Sequence, residues 1–200
     1  MDLAQRIIKY MTDKDYRIST EPGQVNIVYI EGVNPDGTIN ADRLDEWNDL
    51  RIVITFQFGN PVIVGKYIAT TEPGRKYTMQ PMNRNGAARI QFGQYKAWRV
   101  GTHGGSQPHE ALVQVTPVSV CRDLNKDGVR TGDKVHTGLF GINQHWGYDM
   151  KNVGAASAGC LVGQSRESHR QFMGWVKADP RYRTDRNYIF RTTIIAGDKL

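Results

Sequence analysis

Leu3, Ile7 and Met11 recur every four positions behind Asp2, which predicts a short amphipathic helix over 3–13 with Asp2 as its cap. After it the pattern turns to β. Residues 25–30 form a run of β-branched and aromatic side chains, and 51–58 alternates, with Ile52, Ile54, Phe56 and Phe58 assigned to one face. Phe58-Gly59-Asn60-Pro61 carries turn chemistry and 62–70 resumes a strand, so a hairpin is expected over 51–70. Between them, 33–48 is polar and contains Pro35-Asp36-Gly37, the composition of a long surface loop. Further strands are expected at 88–92, 98–102, 112–120, 138–143 and 188–195. A second helix is expected over 165–177: Ser165 can cap it, Phe172 and Val176 share a face, and Pro180 forbids continuation. Trp98 and Trp175 are assigned to the core by their strand and helix settings. The sum is a mainly β fold with a few helices, a single domain over 1–200. Residues 1–50 supply the first helix, a strand and the loop, and 51–200 the core.

Composition narrows this little. A hydrophobic fraction of 39% is enough to fill one core. No stretch is apolar for long enough to span a bilayer, so membrane insertion is not expected. The first ten residues carry an acid and lack an apolar run with a cleavage site, so no signal peptide is expected and synthesis is placed in the cytoplasm. The net charge of +6 permits an anionic partner. Only Tyr95-Lys96-Ala97-Trp98-Arg99 interleaves aromatic with basic residues, too little to expect nucleic acid. A monomer is expected.

Two cysteines, Cys121 and Cys160, do not make a disulfide framework and are read as free thiols. Cys160 lies in Ala156-Ser157-Ala158-Gly159-Cys160-Leu161-Val162, a setting that taken alone favours a small buried hydrophobe. Gly159 would let a substrate carbonyl approach the backbone, Ser157 adds a hydroxyl, and His145-Trp146-Gly147 stands fifteen residues upstream of Cys160. A thiol needs a base near neutral pH, and an imidazole can take its proton and return it to a leaving amine. His103, in Gly101-Thr102-His103-Gly104-Gly105, is the rival base, though a structural role in a tight turn is the preferred reading for it. The histidine spacings fit no zinc-protease helix, so zinc is not expected. Asp123, Asn125 and Asp127, followed by Gly128, begin like a calcium loop, but Lys134 replaces the bidentate acid at its end. A polar turn closed on its own backbone is the preferred reading, and any calcium would be structural.

The segments 141–147 and 156–160 together resemble the signature of L,D-transpeptidase (YkuD-type) catalytic domains, a strand ending in histidine and then Ser-x-Gly-Cys. Residues 69–78, with Thr71-Glu72-Pro73-Gly74 and Tyr77, resemble the family's Thr-Pro-x-Gly segment after an early hairpin. The resemblance implies a β-sandwich-like domain in which Cys160 attacks a peptidoglycan stem-peptide amide beside diaminopimelate. His145 would be base and acid, and backbone N–H groups near Gly159 and Cys160 would hold the oxyanion. The group orienting His145 could be a backbone carbonyl, Asn143 or Asp149. Trp146 stands where the family has glycine and Val162 where it has arginine. Arg166 or Arg170 of the following helix is expected to replace that arginine, with Trp146 walling the site. No cofactor is required. Without an encoded export route, the expected role is an endolysin-like hydrolase that reaches the wall after phage-induced release. A crosslinking transpeptidase is the alternative within the class, and a non-catalytic wall-binding or nucleic-acid-binding module the alternative outside it.

Overall fold

Asp2 closes a capping box: its carboxylate accepts the Gln5 N–H at 2.9 Å while the Gln5 side chain accepts the Asp2 N–H at 3.1 Å. The computed structural model describes all residues 1–200. In chain order its elements are α1 (Leu3–Asp13), β1 (Asn26–Glu31), β2 (Asp49–Gln57), β3 (Asn60–Thr70), α2 (Arg75–Met79), β4 (Ala87–Ile90), β5 (Gly93–His103) and β6 (His109–Gln114). There follow β7 (Val118–Asp123), β8 (Lys134–Gly138), β9 (Gln144–Trp146), β10 (Leu161–Gly163), α3 (Arg166–Ala178), α4 (Pro180–Thr184) and β11 (Phe190–Ala196).

Eight strands close into a barrel in the order β1-β11-β5-β6-β9-β10-β3-β2, and β4-β7-β8 form a separate sheet. The expected mainly β, single-domain fold is what the chain adopts. Successive side chains of a strand point to opposite faces. On one face of β1, Val28 and Ile30 join Ile52 and Ile54 of β2 against Ile7 and Met11 of α1. On the other, Ile27 and Tyr29 join the main core, shared with Ala88 and Ile90 of β4, Val118 and Val120 of β7, and Phe172 and Val176 of α3. The small sheet and α3 therefore pack onto the barrel as one core. No helix is long and apolar enough to cross a membrane.

Several expectations need correcting. β2 is buried on both faces for most of its length, so its alternation does not separate core from solvent. Phe58 belongs to no apolar face; it sits in the hairpin turn at φ 49°, fully exposed. The expected strand 112–120 is two, β6 and β7, parted at Thr116-Pro117, where proline offers no N–H to a ladder. Residues 139–143 run as irregular chain rather than strand. Trp98 is fully buried, its indole N–H donating to the Ile142 carbonyl at 2.6 Å, but Trp175 is 38% exposed and not core.

Candidate active site

β9 and β10 run parallel, with Gln144 opposite Leu161 and His145 opposite Val162. Asn143 and Cys160 stand one step before each strand and so are neighbours. The Asn143 N–H donates to Cys160 Sγ at 3.4 Å, and the thiol donates to the Gly141 carbonyl at 3.4 Å. Side chains two apart along a strand share a face, so His145 and Asn143 project to one side of β9. The turn before Cys160 is braced by Ser157, whose buried Oγ accepts the Gly159 N–H at 3.1 Å and donates to the Cys160 carbonyl at 2.9 Å. Gly159 is at φ +123°, and a Cβ there would collide with the Ala88 carbonyl of β4, so only glycine fits. Two expectations change. Ser157 acts on the backbone rather than on the thiol, and the Gly159 N–H is engaged within the turn, leaving the Cys160 N–H as the free one of the two.

Four of the five histidines form one cluster, and His136 of β8 lies outside it. His103 at the end of β5 pairs with His109 at the start of β6, so His103 ends a strand rather than occupying a tight turn. Its ring stacks on His145 at 3.9 Å and 12°, and His109 stacks on Trp146 at 3.9 Å and 11°. His169 of α3 meets His109 edge-on at 5.9 Å.

Hydrogen bonds fix the tautomers. His145 Nδ1 lies 2.8 Å from the Trp146 carbonyl, which can only accept. The proton is therefore on Nδ1 and the lone pair on Nε2. That carbonyl is the orienting group, in place of Asn143 or Asp149. His103 Nδ1 lies 3.0 Å from Asn143 Nδ2, and Asn143 Oδ1 is taken by the Gln114 N–H at 2.9 Å. The Asn143 amide therefore donates to His103, whose own proton sits on Nε2. One imidazole of the stacked pair offers an acceptor and the other a donor.

Burial pushes His145 down to about 3, helped by the neighbouring His103, and burial also lowers His103 and His109. Burial and the Arg51 guanidinium push His169 down to about 2. Burial raises the Cys160 thiol to about 11, with the Asn143 N–H pulling the other way. The resting site is a neutral thiol beside neutral imidazoles.

A cavity of about 530 Å³ opens on this thiol. Its walls include Cys160, His103, Arg122, Tyr77, Asn83 and Phe140. His145 is behind the stacked His103 rather than in the wall, and only 2% exposed. The 69–78 segment reaches the site as well: the Gly74 N–H donates to the Ser157 carbonyl at 2.9 Å, and Tyr77 of α2 lines the cavity.

Arg166 does not reach the cavity wall. It is bound to Asp149 at 2.6 Å, to the Tyr148 carbonyl at 3.2 Å and to Gln107 at 3.1 Å. Trp146 walls the histidine cluster rather than the cavity, with Arg170 over its ring at 5.4 Å. Arg122 is the cation the cavity does contain. It lay just beyond the expected strand 112–120, and no local signal tied it to Cys160.

In the 123–128 loop, Asp123 accepts the N–H groups of Asp127 and Gly128 at 3.2 and 3.0 Å, and the Asn125 amide donates to Asp127 at 2.7 Å. These are the bonds of a polar turn closed on itself. Elsewhere the carboxylates of Glu31, Asp42 and Glu72 converge closely enough to hold a cation. Arg130 already grips Glu31 through two bonds of 2.5 Å, and Arg89 pairs with Glu72. No protein-family model, curated protein or solved structure matches this chain, and the chemistry is therefore argued from the site itself.

Proposed function

We propose that the protein is a cysteine amidohydrolase that cuts peptidoglycan stem peptides through a thioester on Cys160, in an endolysin-like role. The observation that carries this is the thiol at a cavity wall that it shares with His103, behind which His145 is stacked, one imidazole with a free donor and the other with a free acceptor. His145 Nε2 takes the thiol proton as sulfur attacks the amide carbonyl, so neither ion has to exist beforehand in the buried site. The Cys160 N–H and the His103 Nε2–H hold the oxyanion. When the C–N bond breaks, the imidazolium of His145 returns its proton to the leaving amine. Water then attacks the thioester, giving its proton to His145, and the thiol and a carboxylic acid are released. The scheme requires no metal, and a chelator should leave turnover unchanged. The net charge of +6 favours approach to an anionic envelope.

The test is digestion of purified sacculi with wild-type protein and with Cys160→Ala, read by mass spectrometry of the soluble muropeptides. Cut peptides from the wild type alone are expected. New crosslinked dimers would mean that an amine, rather than water, resolves the same thioester. Equal products from both proteins would overturn the role of Cys160.

A further inference from the structure

Arg122 projects from β7 to a junction between two concave surfaces. One is the Cys160 cavity, and the other is a groove of about 350 Å³ that also holds Asn85, Lys134 and His136. The residue is 8% exposed, and no carboxylate pairs with it. Its guanidinium stacks on the Phe140 ring at 4.8 Å and makes one hydrogen bond, at 3.3 Å to the Gly86 carbonyl. Its Nε is buried without a partner. Arg89 and Arg130 have Glu72 and Glu31 as counter-charges; Arg51, over Phe172 and bonded to His169, also lacks a carboxylate and keeps unpartnered nitrogens, but of these arginines Arg122 alone lines the Cys160 cavity. Burying a guanidinium with neither counter-charge nor a full set of acceptors is unfavourable, and the imbalance is relieved when an anion arrives. Phe140 lies to one side of the guanidinium, Nη1 bonds Gly86 and Nη2 has no partner, so a carboxylate entering the cavity meets the Nη edge.

We propose that Arg122 is the anchor for a substrate carboxylate, so that the enzyme selects peptides bearing a free acid near the attacked bond over their amidated counterparts. This rests on the reading of Cys160 as nucleophile, and it assigns to β7 the task expected of Arg166. The cavity brings Arg122 and the thiol to one substrate, so the carboxylate fixes which carbonyl meets sulfur. Burial holds the Arg122 pKa below its ordinary value without discharging it.

Titration calorimetry on the Cys160→Ala protein separates binding from turnover. The probes are the synthetic tetrapeptide L-alanyl-γ-D-glutamyl-diaminopimelyl-D-alanine as free acid and the same peptide with its carboxylates amidated. The Cys160→Ala protein should bind the free acid at least ~10-fold more tightly, the scale of one charge-assisted contact. Adding Arg122→Gln should erase that preference, Arg122→Lys should keep part of it, and Arg166→Gln should leave it intact. Circular dichroism melts establish that each variant is folded, and the lysine variant keeps the charge should the glutamine variant fail to fold. An unchanged preference in folded Arg122→Gln, no preference in the parent, or no binding of either peptide would overturn the anchor. The two ideas fail separately. Cut sacculi with an Arg122-independent preference sink the anchor alone, whereas an Arg122-dependent preference without any cutting sinks the nucleophile alone.

Discussion

The Cys160 thiol donates to the Gly141 carbonyl while burial lifts its pKa to about 11, and the His145 imidazole, stacked behind His103, is pushed down to about 3. With the values so far apart, a standing thiolate–imidazolium pair is strongly disfavoured, and the proton must move together with the attack. Iodoacetamide reads the thiolate, so its reaction with Cys160 should be slow at neutral pH and rise through an inflection above pH 9. An inflection between pH 6 and 8 would mean a preformed ion pair. The acid side follows with the opposite sign. His145 is active when neutral and its pKa is lowered, so kcat/KM should hold from pH 7 to pH 5, where an ordinary histidine would already be protonated. Cys160 and His145 were legible because each sits in a short motif. Arg122 and the donor role of His103 were not, because both are brought to the thiol by strands distant in sequence. Which imidazole nitrogen carries a proton depends on Asn143 and on the Trp146 carbonyl, a question that spacing does not address.

Legibility at the scale of elements followed length and capping. α1 and α3 carry four-residue apolar spacing and side-chain caps at Asp2 and Ser165, so both were visible within a residue or so of their ends. The 51–70 hairpin announced itself through Gly59-Asn60-Pro61. The strands that hold the site did not. β9 and β10 have three residues each, too few to show a period, and β10 is buried throughout, so it read only as the apolar tail of a cysteine motif. α2 and α4 have five residues each and gave no periodic signal. The tight passage of Gly159 past Ala88 ties the turn before Cys160 to the second sheet. That contact joins residues about seventy apart in the chain, and it explains the glycine better than substrate access alone.

Across the whole molecule the mainly β class was legible from composition and alternation, while barrel closure was not, since it depends on β1 pairing with β11 near the far end of the chain. That closure is bordered by buried acids. Asp49 accepts the N–H groups of Gly32 at 2.8 Å and Thr71 at 2.6 Å, and Thr71 Oγ1 lies 2.6 Å from Glu31 Oε2. Burial, with Glu31 and Asp42 nearby, raises Asp49 to about 8. A protonated Asp49 can donate to Thr71 Oγ1, which in turn donates to Glu31. Because the folded pKa lies above the unfolded one, the native state binds the extra proton. Its stabilising contribution is complete below about pH 4 and is lost as pH rises through about 8. Relative to wild type, Asp49→Asn should therefore gain melting temperature as pH rises from 5.5 to 8.5, a comparison in which the buried neutral histidines cancel. A difference between the two proteins that stays constant over that interval would contradict this assignment.

A thioester on Cys160 has a diagnostic mass that can be read on the trapped protein. The protein is mixed with disaccharide-tetrapeptide, quenched in acid within seconds, and read by intact and peptide-level mass spectrometry. An adduct equal to the acyl portion of the substrate is expected on the peptide carrying Cys160 and absent from Cys160→Ala. Substrate turnover by Cys160→Ala at the wild-type rate, with no adduct on either protein, would contradict it.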